Sequence, residues 1–418
     1  MHSSAVYRSS VSPLKVGSNG FSSIRTKHNL PLQTVKQQRR SKSSSAEMRE
    51  PDVSINKTGD VDTAKFLREI FIINEKVKEL DLLPGSQGQE HLSAELLGQF
   101  RETLASITPS GLLHVIIALP SLPEIDSFVR KLIVSHFQKS MRHLSVSQLL
   151  RVIQSHNSKD LGLDQSAYDN AMYLIQQRWV EIKYGRDIVT LLYIVPDDST
   201  NFLDRLEDRA LDLCDSMTVK ELYRTVYCLA RRRRRNTPLL RALMYYLDRQ
   251  ELDLNPVHLS NLAYAMAVLN VRDQGVMEKL VKAVCQVVEN RAHPPNAVRH
   301  MLSSVVQSLG ILRWFDKRFM DMAVERFARL NVDLSDWVRM LNTLASVNYL
   351  PPQLGKDGLV EIVRRMASLS QSNPMLWLDA VWSCCVLDSV TAELAASVLT
   401  PEFIAKLEGE KLRMLYLL

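Results

Sequence analysis

The chain has 418 residues, 46% of them apolar and 23% charged, with a formal charge of +6. Its five cysteines, Cys214, Cys228, Cys285, Cys384 and Cys385, form no Cys-x-x-Cys pair, which argues against a disulfide framework or a zinc site and fits a reducing compartment. Apolar runs such as residues 112–119 end at Pro120, short of the roughly 18 to 20 residues a spanning helix needs, so no membrane insertion is expected.

The first 46 residues are serine-rich and carry Arg8, Lys15, Arg25, Lys27, Lys36, Arg39, Arg40 and Lys42, with no Asp or Glu before Glu47. This is the composition of a mitochondrial transit peptide, with cleavage expected between residues 40 and 47. The alternative is a basic tail that binds nucleic acid or acidic partners. Subtracting these eight charges from +6 leaves −2 for the remainder. The overall positive charge is therefore no argument for RNA, and only the placement of charge within the folded part can be one.

Residues 47–105 read as an N-terminal helical segment and linker, and residues 106–418 as a repeat array. Helix starts recur through the array at Thr108-Pro109, Ser145, Thr218 with Glu221, Asn255-Pro256, Ser335-Asp336, Asn373-Pro374 and Thr400-Pro401. Each opens an apolar stripe of helical period, as in Val219, Leu222, Val226 and Leu229. Taking Leu113, Leu150, Leu191, Val226, Ala263, Val305, Leu341 and Ala380 as equivalent gives a step of roughly 35 to 42 residues, the range of two-helix repeats. Second helices follow at Leu240, Leu243 and Leu247, at Val276, Leu280 and Val284, and at Phe319, Met322, Ala323 and Phe327. The expected fold is all-α, a helical-hairpin repeat solenoid wound as a right-handed superhelix of two-helix repeats. Its long surface would suit an extended ligand. Length alone would suggest two or three globular domains, but an array grows by adding units and counts as one.

Charge is unevenly placed along this array. Residues 127–159 contain no acid but include Arg130, Lys131, Lys139, Arg142, Arg151 and Lys159. Residues 222–247 likewise contain no acid and include Arg224, the run Arg231, Arg232, Arg233, Arg234 and Arg235, and Arg241. Two such tracts from different units could line one groove and follow a phosphate backbone. The competing reading is that the five-arginine run solvates a turn and complements a helix C-terminus. Tyr223, Tyr227, Tyr245, Tyr246 and Trp314 lie near basic groups and could stack on bases, although aromatics at helical spacing are more often core. Trp377 and Trp382 read as buried anchors.

No Gly-x-Gly-x-x-Gly loop, phosphate-loop lysine, His-Arg-Asp or Asp-Phe-Gly motif is present, and the histidines lack metal-ligand spacing. The expectation is a protein without catalytic activity, cofactor or metal.

Arg178-Trp179-Val180-Glu181-Ile182, Arg205-Leu206-Glu207-Asp208 and residues 237–242 resemble the FAST kinase domain-containing proteins. Residues 379–387 and 396–403 resemble the Trp-x-x-x-Val-Leu and Val-Leu-x-Pro-x-Phe pattern that closes that family's first conserved region, placed here from about 300–370 to 403. The resemblance covers about residues 170–418. It implies a protein of the mitochondrial matrix that binds single-stranded RNA and controls the processing or stability of mitochondrially encoded mRNA, alongside other RNA-processing proteins. Family members continue into a second conserved region and a C-terminal RAP domain, which this chain is expected to lack. A protein-interaction scaffold is the alternative.

Overall fold

The computed structural model describes residues 68, 72, 98, 100–118, 127–157, 165–290, 292–330 and 332–407. The chain divides into two units after Ile55, and every described residue belongs to the second. The transit-like segment, Lys159 and the final residues 408–418 lie outside the described residues.

The described residues are all-α. In chain order the helices are α1 Pro109–Ala118, α2 Ser127–Ser140, α3 Val146–Asn157, α4 Gln165–Gln177, α5 Gly185–Ile194, α6 Thr200–Leu213, α7 Val219–Arg231 and α8 Thr237–Asp248. They continue with α9 Pro256–Val268, α10 Gln274–Glu289, α11 Pro295–Leu312, α12 Lys317–Arg329, α13 Leu334–Ser346 and α14 Gly355–Arg365. The short α15 Leu369–Ser372, then α16 Pro374–Val386 and α17 Ala392–Val398, complete the series.

Helices two apart in sequence pack together. The row α1, α3, α5, α7, α9, α11, α13, α16 is continuous, each member touching the next, while α6, α8 and α10 form part of a second row. All eight residues of the 35-to-42-residue step are buried, one in each helix of the first row. The buried side chains form a single core cluster from Phe100 to Phe403. No unit could exclude water from its apolar face without the next.

Local sequence fixes where these helices begin. Thr218 and Glu221 form a reciprocal capping box, and the side chains of Asn255 and Asn373 accept from the backbone N–H of His258 and Leu376 at 2.9 and 3.1 Å. Ser145 and Gln148 make the same reciprocal pair, and Thr108 and Thr400 cap as expected. The Ser335-Asp336 start is displaced: the helix begins at Leu334 after Asp333. Asp336 is buried because its carboxylate accepts from Ser303 Oγ of α11 at 2.6 Å and from Arg339 at 2.8 Å. A side chain spent on the neighbouring helix is not free to cap its own.

A shared stop signal closes the first helix of five units. Arg233, Asn270, Arg313, Asn348 and Asp388 all have φ between 49° and 53°. In each case the next residue's N–H bonds back to a carbonyl five residues earlier, from Arg234 to Leu229, Val271 to Met266, Trp314 to Leu309, Tyr349 to Leu344 and Ser389 to Cys384. This is the Schellman ending, reached here without glycine. At four of the five, the cap of the following helix stands three residues on, at Asn236, Asp273, Asp316 and Thr391. Gly310 marks a close approach of α11 and α13, since a Cβ there would lie 2.5 Å from Thr343 Oγ1 and 3.0 Å from its Cα.

Candidate nucleic-acid interface

With second-row helices packed on one side, each first-row helix keeps one outward stripe. On α7 that stripe is Lys220, Arg224, Tyr227 and Arg231, of which Tyr227 is half-buried and the three cations are exposed. At 100° per residue these four fall within about 60° of arc and run for about 16 Å. On α5 the stripe is Arg186, Thr190 and Tyr193, and on α9 it is Val257, Asn261, Tyr264 and Val268. The stripes meet: the Arg231 guanidinium lies 5.2 Å from the Tyr193 ring centroid. The Tyr227 and Tyr264 centroids are 6.4 Å apart. Tyr193 and Tyr264 are 63% and 46% exposed, so both rings present a face to solvent.

Electrostatically the strip is positive. Among the described residues, Lys220, Arg224 and Arg231 have no carboxylate in ion-pair range; Arg224 donates only to Tyr223 Oη, at 3.2 Å. Burial, then the charges of Arg224 and Lys220, lowers the pKa of His258, which sits 4.7 Å from the Tyr223 ring. Burial likewise raises the Tyr227 hydroxyl.

The five-arginine run has three of its members engaged inside the fold. Arg232 donates to the Leu192 carbonyl at 2.8 Å and to the Val195 carbonyl, and pairs with Asp197. It thereby satisfies the orphan carbonyls at the end of α5. Arg234 pairs with Asp204 and with Glu207 of α6, the latter 3% exposed. Arg235 donates to the Leu269 carbonyl at the end of α9 at 2.8 Å. The run is thus a clamp joining helices from three consecutive units; Arg231, Arg233 and Arg235 are exposed, and of these only Arg235 is tied to a backbone carbonyl.

The other sequence-derived residues scatter. Half-buried Arg130 and exposed Lys131 and Lys139 lie on α2, a second helix of its pair, and Arg241 is exposed on α8, another. Arg142 sits in the turn from α2 into α3, and Arg233 in the turn from α7 into α8. The first of these turns joins consecutive pairs and the second lies within a pair. Only Arg151, on the outward side of α3, shares the row that carries Arg224 and Arg231.

Of the aromatic candidates, Tyr223 is buried, and Tyr246 and Trp314 pack partly against the core. Tyr245 is exposed beside Arg249 on α8. Trp377 is an anchor, 2% exposed with Nε1 donating to Ser397 Oγ at 3.1 Å, but Trp382 is 50% exposed on the outward stripe of α16 and is not buried. Sequence reading missed Tyr193 and Tyr264. Their signal was an aromatic one or two residues past the mid-stripe position in neighbouring units, Tyr193 after Leu191 and Tyr264 after Ala263, visible only once the units are aligned.

Burial raises the thiol of Cys214 to about 12 and those of Cys228, half-buried Cys285 and Cys384 to about 11. Among the described residues no group of three His, Cys, Asp or Glu could hold a metal, and no helix is long and apolar enough to cross a membrane.

The described residues thus form an all-α row of paired helices, with a basic, tyrosine-bearing strip on its α5, α7 and α9 members. Residues 337–408, from α13 past α17, match the FAST kinase-like protein, subdomain 1. The chain is a distant homologue of FAST kinase domain-containing protein 4. It is 26% identical over 231 residues to that of Rattus norvegicus (54% of this chain, 36% of the relative) and 26% over 241 residues to that of Homo sapiens (57% and 37%). To that of Mus musculus it is 25% identical over 350 residues (81% and 53%). The chain thus spans roughly a third to a half of the length of these relatives. The matched subdomain is structurally a continuation of the helix row, with α16 packed on α13.

Proposed function

We propose that this chain is a non-catalytic RNA-binding protein of the mitochondrial matrix that holds single-stranded, mitochondrially encoded mRNA and so governs its processing and stability. In this reading the helix row winds as a right-handed superhelix, residues 1–46 are a transit peptide, and RNA runs along the outward stripes of the first-row helices. The observation that carries it is the α7 stripe, where three exposed cations without carboxylate partners alternate with Tyr227 and adjoin Tyr193 and Tyr264. Cations follow a phosphate backbone and exposed rings take unpaired bases, a combination suited to single strands. Arg151 extends the same row, and Arg233 and Arg241 add positive potential nearby. Arg130, Lys131, Lys139 and Arg142 steer rather than hold.

The test is affinity of the full chain for single-stranded RNA as a function of salt. Each neutralised phosphate adds about 0.7 to the slope of log K against log salt. Replacing Lys220, Arg224 and Arg231 together with Gln is expected to lower that slope by about 2. An unchanged slope removes the stripe from the interface, and a slope near zero in the unaltered chain ends the RNA reading.

A second reading, a protein-interaction scaffold, is favoured by one specific observation: α16 turns Met375, Trp382 and Val386 outward, 43%, 50% and 38% exposed. Matrix partners retained after RNase treatment, and lost with Trp382→Ala, would support it.

A further inference from the structure

Beside the basic stripe, the C-terminal ends of α5 and α7 enclose a notch of about 220 Å3 lined by Leu192, Tyr193, Val195, Pro196, Asp197, Cys228, Arg231 and Arg232. Leu192, Val195 and Cys228 lie buried beneath it, each no more than 4% exposed, and its open surface is mostly polar. Its walls are an exposed tyrosine ring and an arginine. A space of this size admits one planar heterocycle and excludes a helix or a folded domain.

We propose that this notch is a stacking site for a single unpaired nucleobase of a single-stranded RNA, a site that deepens the RNA reading above and rests on it. The Arg231 guanidinium lies over the Tyr193 ring at 5.2 Å, and the residue is 63% exposed, which leaves ring surface accessible to a base. A base laid on that surface completes a guanidinium–phenol–base sandwich. The ring is held in place by the guanidinium, so little side-chain entropy remains to be lost on binding. The Arg231 donors not turned toward Tyr193 are then positioned for the phosphate of the stacked nucleotide. Arg232 is not available for this role, because each of its three nitrogens already donates to Leu192, Val195 or Asp197 and its side chain is only 11% exposed. That division of labour makes the notch rigid: Arg232 fixes the loop carrying Pro196 and Asp197, and Arg231 faces the ligand. The base is accepted without regard to identity, because every base has a π-face, and the site supplies affinity and register rather than sequence choice.

The test uses the full chain, a labelled single-stranded RNA, and the variants Tyr193→Ala and Tyr193→Phe, with thermal midpoints measured alongside; the exposure of Tyr193 predicts that both variants fold. Loss of one stack is expected to weaken binding about tenfold in Tyr193→Ala, within the 1 to 3 kcal/mol range for a base on an aromatic ring. Tyr193→Phe keeps the stack and should bind within twofold of the unaltered chain. Neither variant should change the salt slope, since no phosphate contact is removed. Binding by the unaltered chain with Tyr193→Ala within twofold overturns the notch and leaves the RNA reading standing. Failure of the unaltered chain to bind RNA overturns both. Equal losses in the Ala and Phe variants with a lower salt slope would mean that Tyr193 acts by holding Arg231, which also overturns the stacking site. A free nucleoside monophosphate that binds as tightly as the RNA would reassign the notch to a mononucleotide.

Discussion

Helices α7 and α16 occupy equivalent places in the same row, each opened by a side-chain cap and closed by a left-handed residue at φ 53° or 52°. Their outward stripes have the same spacing and opposite chemistry. On α7 it reads Lys220, Arg224, Tyr227 and Arg231; on α16 it reads Met375, Asp379, Trp382 and Val386. Burial raises the Asp379 pKa, so even its acid is held back from solvent. The repeat thus supplies position, and the residues left outside the core supply function.

This contrast can be sharpened with the two tryptophans of α16. Trp377→Ala removes a buried ring and its bond to Ser397, and should cost about 3 to 5 kcal/mol in denaturant unfolding. Trp382→Ala should cost about 0.5 to 1 kcal/mol, because half of the ring is already in water. Equal costs would place Trp382 in the core and dissolve the distinction between the stripes.

Near α7, the run of arginines can be separated into structural and free members. Arg234→Ala leaves Glu207 buried with only Asn236 Nδ2 at 3.1 Å, and should destabilise by about 3 kcal/mol. Arg234→Met combined with Glu207→Gln should recover most of that loss, as both charges are then gone. Packing between first-row helices is probed by Gly310→Ala, expected to cost about 1 to 3 kcal/mol because the new methyl meets the Thr343 backbone.

Smaller effects remain. Arg233→Gly relieves a left-handed non-glycine residue and should stabilise by about 0.5 to 1 kcal/mol, with little change in RNA affinity. Finally, His258 has a folded pKa below its ordinary 6.5, so its neutral form stabilises the fold above that pH. This contribution is lost as pH falls from 6.5 through the lower folded value. Melting curves of His258→Phe should vary less than those of the unaltered chain across that window.

Much of the architecture was legible because it is local. Caps at Thr218, Asn255 and Asn373 act within three residues, and the 35-to-42-residue step is carried by apolar residues that must be buried somewhere. The Ser335-Asp336 start is displaced because a neighbouring helix decides the outcome there. Asp336 is drawn to Ser303, 33 residues away. Helical spacing within α16 already sets Trp377 on the buried stripe with Ala380, Val381 and Cys384, and Trp382 on the outward one with Met375, Asp379 and Val386.

The amino-acid sequence by itself determined an all-helical array, its repeat length and the location of its two acid-free tracts. Tertiary structure decided which charges are free. Arginines 232, 234 and 235 reach carbonyls and carboxylates 27 to 40 residues distant in the chain, while Arg231, next to them, reaches a solvent-facing tyrosine. The physical reason is that a guanidinium binds whatever acceptor the fold brings within its reach. Stacking of the units, which no short segment records, sets which acceptors those are.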